Sequence, residues 1–196
     1  MKKSIFAPLV LGVLMATTAA CSGPAETAET AETAETAETA ETAAVEAPAE
    51  TGLIADLGGD PTGPTFTKKK GDTLAVSGFD VVSYFSDDGV PVEGSEDFTV
   101  RYQGFDYRFA SEENAQEFIG DPAKYAPAYG GYCAWAIGAN DALAPGDPQV
   151  YKIVDGTLYL NFNEAVSEKW NADIPGFIAK ADTNYPTHSA DEHYQD

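Results

Sequence analysis

Two short stretches of this chain dictate their own pairing, and little else about its fold is so tightly constrained. Phe98-Thr-Val-Arg-Tyr102 alternates apolar and polar residues, Gln103-Gly104 follows, and Phe105-Asp-Tyr-Arg-Phe109 alternates again. A two-residue turn there pairs Tyr102 with Phe105, Val100 with Tyr107 and Phe98 with Phe109. All six are apolar and share one face, and Arg101 meets Asp106 on the other as a cross-strand ion pair. The second stretch runs from Val150 to Val154, turns at Asp155-Gly156 and returns from Thr157 to Phe162. Asp-Gly favours a turn with both central φ angles positive, which sets Ile153 against Leu158 and Tyr151 against Leu160. Each hairpin has one apolar side and must pack on something.

Helices can supply the cover. Ser111 is placed to cap a helix from Glu112 to Gly120 with Ala115, Phe118 and Ile119 as its stripe. Asn163 can cap a helix through Trp170, and Asp173 another over Ile174 to Ala181 that buries Phe177 and Ile178. The order is strand, strand, helix, a middle segment, then strand, strand, helix, helix. The expected fold class is α+β: two antiparallel β-hairpins packed against short helices, in a single small domain after a disordered stalk.

The N-terminus reads as an address. Lys2 and Lys3 precede an apolar run from Ile5 to Ala16, too short for a comfortable membrane span of about 20 residues. Small residues follow, and then Cys21, which gives residues 1–20 the layout of a secretory signal peptide. A Cys directly after that site looks like a bacterial lipobox, although Thr18 stands where an aliphatic residue is usual. The expectation is a lipid anchor on Cys21, placing the protein on the cell envelope facing the periplasm. Ser22 follows, with no Asp to favour retention at the inner membrane, so the outer membrane is expected. An ordinary cleavage site with an incidental Cys is the alternative. Residues 25–42 repeat Ala-Glu-Thr; the like charges repel and no apolar stripe exists, so 21–66 reads as a solvated stalk and linker. The domain is expected over 67–186, with 187–196 as a flexible tail.

Charge and donor counts exclude several functions. Lys+Arg number 11 against 32 Asp+Glu, a formal net charge of -21, which repels phosphate backbones and argues against nucleic-acid binding. Two Cys and two His cannot build a multi-ligand zinc domain or a disulfide scaffold. No His lies between residues 67 and 186, so no Cys–His or Ser–His catalytic pair is available there. No enzymatic activity is expected. His188 and His193 sit in the polar tail, where a solvated end and a loose metal-scavenging tail are both open readings. Tyr84, Tyr102, Tyr107, Tyr125, Tyr129, Tyr132 and Trp135 are dense enough to line a cleft or to fill a core. Lys68-Lys69-Lys70 reads as a solvated run, and Asp87-Asp88-Gly89 as a turn.

The segment Val100-Arg-Tyr-Gln-Gly-Phe-Asp-Tyr-Arg-Phe-Ala-Ser111, with Phe118 and Asp121-Pro-Ala-Lys-Tyr125, resembles a YHS domain. Gly78-Phe-Asp-Val-Val-Ser-Tyr-Phe85, Tyr129-Gly-Gly-Tyr-Cys-Ala134, Ala144-Pro-Gly-Asp-Pro148 and Asp173-Ile-Pro-Gly-Phe-Ile-Ala-Lys-Ala181 extend the likeness to a bacterial envelope branch, the YHS domain-containing (seleno)protein type. The likeness covers about residues 72 to 186. It implies a small module associated with heavy-metal handling, hence a soft metal ion such as copper as the possible ligand. Metal-type members place a Cys early and another after the Tyr-x-Phe strand end; here Val76-Ser-Gly-Phe79 and Phe109-Ala110 hold neither thiol.

That leaves Cys133. With Cys21 lipidated it has no partner in its own chain, and it follows Gly130-Gly131-Tyr132 just ahead of a short helical segment. Three readings stay open: a buried core residue, which leaves an interaction or structural lipoprotein with no small ligand; a metal ligand in a non-catalytic binding module; or a redox thiol, the last consistent with the selenocysteine that the family's name implies.

Overall fold

The computed structural model describes residues 52–195; the signal segment 1–20, Cys21 and the Ala-Glu-Thr stalk lie outside the described residues. Strand β1 (Leu53–Asp56) pairs in parallel with β2 (Ser95–Tyr102), which pairs antiparallel with β3 (Phe105–Phe109). Helices α1 (Glu112–Gly120) and α2 (Pro122–Tyr125) follow, then α3 (Ala134–Asn140). A second hairpin, β4 (Asp147–Val154) and β5 (Thr157–Asn161), leads into α4 (Glu164–Asn171) and α5 (Ile174–Asn184). This is the α+β class, with a three-stranded and a two-stranded sheet. Among the described residues no helix is long and apolar enough to cross a membrane.

The hairpin turns form as their chemistry requires. Gln103 and Gly104, and likewise Asp155 and Gly156, all have positive φ. Tyr102 pairs with Phe105, Val100 with Tyr107, Ile153 with Leu158 and Tyr151 with Leu160. Arg101 meets Asp106 at 2.8 Å. The Phe98–Phe109 pair does not form. A bulge intervenes, and Phe109 faces Ser95 instead, with Thr99 opposite Arg108. The caps are those the side chains dictate: Ser111 accepts from the Asn114 N–H, Asn163 from Val166 and Asp173 from Gly176.

Both ends of the domain reach further than composition suggests. The linker expected through residue 66 contributes β1, and Phe66 is buried with its N–H donated to the Gly130 carbonyl at 2.9 Å. At the other end, α5 runs to Asn184 rather than 181, and the tail packs instead of floating. His193 is buried and donates Nε2–H to the Thr67 carbonyl at 3.1 Å. Tyr194 sets its ring against Phe66 and its hydroxyl on the Lys68 carbonyl. His188 bonds Glu192 and faces Asp141. Both histidines are therefore committed to holding the tail, which removes the loose metal-scavenging reading.

The described chain also contains the same unit twice. Residues 75–78 and 128–131 form matching turns in which Val76 and Tyr129 have φ 49° and 55°, and Ser77 and Gly130 have φ 57° and 58°. Each turn closes with the same bond, Phe79 N–H to the Val76 carbonyl and Tyr132 N–H to the Tyr129 carbonyl. Asp80 N–H then reaches the Val92 carbonyl, and Cys133 N–H the Ala144 carbonyl. Isolated bridges join Phe79 to Glu93 and Tyr132 to Pro145. Even the bulge recurs: Ser95–Phe109 then Thr99–Arg108 in one hairpin, Asp147–Asn161 then Tyr151–Leu160 in the other. Ser111 and Asn163 cap the following helices, whose fully buried anchors are Phe118 and Trp170, and Asp121 and Asp173 cap the helices after those.

Each copy has its own core. Val76, Val100, Tyr107, Phe109 and Phe118 lie in the first, and Tyr132, Ile137, Tyr159 and Trp170 in the second. Strand β5 joins them. Its alternation sends Tyr159 into the second core, and Leu158 and Leu160 into the first, so Leu158 to Asn161 are all buried. The matching positions of β3, Asp106 and Arg108, are half-buried and charged. The stacking of the copies is thus written into one face of one strand.

Candidate functional site

Cys133 is placed by the second of the two matching turns. Gly131 has φ 83°, a conformation that side chains rarely adopt, and Gly146 packs against the Gly131 carbonyl so closely that a Cβ there would collide with it. These close approaches bring Cys133 beneath β5, where it is bridged to Leu160 and 0% exposed. The thiol is free. Its S–H donates to Asn161 Oδ1, with Sγ 3.7 Å from that oxygen. Burial pushes the thiol above its ordinary range, and the backbone N–H groups of Ala136, Phe162 and Trp135, which donate toward the sulfur, pull it back part of the way. The net shift is upward, so proximity to the start of a short helix does not yield a ready thiolate.

The first copy shows what such an arrangement of N–H groups holds. Asp80, at the position matching Cys133, is 0% exposed and sets its carboxylate among neutral N–H donors. Its Oδ1 accepts from the N–H of Val82 at 2.8 Å and of Ser83 at 3.3 Å. Its Oδ2 accepts from the Ala110 N–H at 2.9 Å and from Asn114 Nδ2 at 2.6 Å. The three backbone donors correspond one for one: Val82 to Trp135, Ser83 to Ala136, and Ala110 to Phe162. One backbone nest therefore occurs twice, around a carboxylate in the first copy and around a sulfur in the second.

Asn161 completes the second nest and leaves it unbalanced. Its Oδ1 accepts the Trp135 N–H at 3.2 Å, which fixes the orientation of the amide. Its Nδ2 is then a buried donor with no hydrogen-bond partner. Stranding such a donor costs about 1–3 kcal/mol. No sequence argument pointed to Asp80 or Asn161. The available signal was the shared spacing of Gly78-Phe-Asp and Gly131-Tyr-Cys before the hairpins.

A soft-metal site does not fit this environment. Copper or zinc held by thiolate needs further Cys, His or Met donors converging on it. Around Cys133 there is one amide oxygen and a set of N–H groups that compete for the sulfur lone pairs. Among the described residues no three His, Cys, Asp or Glu side chains are grouped to hold a metal ion. Of the aromatic residues, Tyr84, Tyr107, Tyr129 and Tyr132 are core, and Tyr107 and Tyr129 also join Tyr102 in lining a cleft of about 250 Å³ with Gly63, Pro127 and Tyr185. The Tyr129 hydroxyl donates to Asp182 at 2.9 Å and that of Tyr185 to the Pro64 carbonyl at 2.8 Å, so these hydroxyls serve the fold.

Comparison with known proteins agrees with the first copy. No curated protein and no solved structure matches the chain significantly. The family model of the YHS domain matches residues 84–129, from the turn after Asp80 through β2, β3, α1 and α2 to the start of the second copy. That segment contains no Cys, His or Met. By this match the chain carries a YHS domain at residues 84–129.

Proposed function

We propose that this chain is a lipid-anchored protein of the bacterial cell envelope whose folded part is a non-catalytic, YHS-type binding module facing the periplasm. The family is linked to metal handling, copper above all, and the chain shares that coarse association through its YHS domain. The observation that carries the binding-module reading is the commitment of the buried polar side chains to backbone. Asp80, Ser83 and His193 all bond main-chain groups, and the cleft between the copies is lined mostly by tyrosine, alanine and threonine, with no charged side chain among the described residues that line it. The anchor reading rests on Lys2, Lys3, the apolar run and Cys21. The stalk then spaces the module from the lipid surface, and acyl chains at about 0.8 kcal/mol per buried CH₂ hold it there.

The test has two arms. Wild-type protein should incorporate labelled lipid and Cys21→Ser should not; equal partition of the two into detergent would end the anchor reading. For the module, Cu(I) and Zn(II) titrations of the full chain are read by calorimetry beside Cys133→Ala. Given the donor set, a metal that binds should do so outside the Cys133 nest, with the same affinity in both proteins. A second reading, thiol chemistry at Cys133, is favoured by one observation: the nest that surrounds its sulfur holds an anion in the other copy.

A further inference from the structure

We propose that Cys133 is an oxidative modification site whose nest is built to hold the sulfur as a sulfinate. This rests on the thiol reading and specifies its product. A cysteine sulfinate has the shape and charge of an aspartate side chain, with two anionic oxygens on the atom beyond Cβ. The matching position in the first copy is an aspartate, Asp80, fully buried and held by four N–H donors. The three backbone members of that set recur around Cys133 at Trp135, Ala136 and Phe162.

The second observation is independent of the sulfur. Asn161 is fully buried against Sγ, and its Nδ2 has no acceptor. In the first copy an amide donor from a different position, Asn114 Nδ2 on α1, is satisfied by Asp80 Oδ2. A sulfinate oxygen supplies the acceptor that the thiol cannot. Trp135 N–H, now on Asn161 Oδ1, can move to the sulfinate as Val82 N–H sits on Asp80. The amide is then free to turn and offer Nδ2. Every donor in the nest, the stranded Nδ2 included, then has an anionic oxygen to meet.

The oxidant is a peroxide, hydrogen peroxide or an organic hydroperoxide. In the first step the thiolate sulfur attacks the O–O bond. An S–O bond forms, the sulfur gives up two electrons, and the leaving oxygen takes the thiol's proton and departs as water or alcohol. The sulfenic acid gives its proton to solvent, and the sulfenate sulfur repeats the attack on a second peroxide, giving the sulfinate and a second water or alcohol. Because Cys133 is 0% exposed, the reagent enters only when the fold opens locally, and the first step is slow.

The experiment is peroxide treatment of the folded full chain, with peptide mass spectrometry at Cys133, beside parallel alkylation and thermal unfolding of Cys133→Asp and Cys133→Ser. We expect Cys133 to accumulate two added oxygens and stop, while the protein stays folded. We also expect Cys133→Asp to melt at or above Cys133→Ser at neutral pH, with that advantage lost as the carboxylate protonates in acid. A Cys133 that is alkylated and oxidised only to sulfenate or mixed disulfide overturns the sulfinate and leaves the thiol reading standing. A sulfur inert to both reagents in the folded protein overturns both. Cys133→Asp melting well below Cys133→Ser, or failing to fold when Cys133→Ser folds, shows that the nest does not accept an anion and overturns the proposal.

Discussion

The first copy of the unit fills its backbone nest with a carboxylate, and the second fills the same nest with a thiol. Around Asp80 each N–H has an anionic oxygen within 3.3 Å, and the side chain adds Asn114 as a fourth donor. Around Cys133 the same N–H groups meet a neutral sulfur, Trp135 N–H is shared with Asn161, and one amide donor is stranded. A backbone geometry can thus be kept while its content changes, and the change converts a finished structural joint into an unfinished one. The hairpins teach the same lesson. The register that opposes Arg101 to Asp106 at the surface of the first copy opposes Ile153 to Leu158 in the second, where Leu158 packs on the first core.

The comparison breaks most visibly if the copies are energetically separate. Trp170→Ala and Phe118→Ala each empty the anchor of one core and should cost about 3–5 kcal/mol. Because Leu158 and Leu160 of the second copy are buried in the first core, either substitution should lower a single unfolding transition. Leu160→Ala should do the same at about 2–5 kcal/mol. Two resolved transitions by calorimetry, only one of them shifted, would show that β5 does not weld the copies.

The nests separate at smaller cost. Asp80→Asn keeps the shape but turns an amide N–H₂ toward backbone donors and removes charge-assisted bonds, so it should cost roughly 2–3 kcal/mol. Cys133→Ala removes only a small buried group and should cost less than about 2 kcal/mol. Urea midpoints of the two variants decide this, and equal losses would mean that the nests are not energetically distinct.

What could be read in advance was local. Gln103-Gly104 and Asp155-Gly156 announce their turns, and Ser111, Asn163 and Asp173 their helices, because each acts on neighbours in sequence. Strand β1 was hidden behind Gly58, Gly59, Pro61 and Pro64, which look like linker, since its pairing depends on a β2 edge far along the chain. The bulge that displaced Phe98 from Phe109 is accompanied by a close approach of Gly94 to Arg108, and no alternation pattern encodes either. The candidate site was legible as one residue, Cys133. Its surroundings were not, because three of its neighbours are main-chain N–H groups that any residue carries, and Asp80 stood in a motif without its partner turn in view.

Alkaline titration distinguishes the two occupants further. Cys133 has a raised folded pKa, through burial offset in part by the Ala136, Phe162 and Trp135 N–H groups. Its contribution to stability is therefore full below the unfolded thiol value of about 8.5 and is lost as pH rises through the folded value. Wild type should lose more stability than Cys133→Ser as pH is raised from 8 toward 10, by less than either nest substitution costs. Identical alkaline limbs would show that the sulfur does not ionise with unfolding.

The smallest expected effect lies at the pair that the second copy replaced by leucine and isoleucine. Burial raises Asp106, but hydrogen bonds from Arg101 and Thr73 and the charges of Arg101 and Arg108 outweigh it, so the carboxyl lies below its ordinary range. A depressed folded pKa gives stability that is present above the unfolded value near 3.9 and lost as pH falls through the folded one. The Arg101 side chain is 33% exposed and that of Asp106 18%, so solvent screening leaves the pair worth at most about 1 kcal/mol. Asp106→Asn should therefore lower the urea midpoint slightly at pH 7 and flatten the acid limb below about pH 4. High salt should shrink the pH 7 difference. An unchanged acid limb would mean that the outer face of the first hairpin depends on its ion pair no more than β5 does, and that the charges there serve solubility alone.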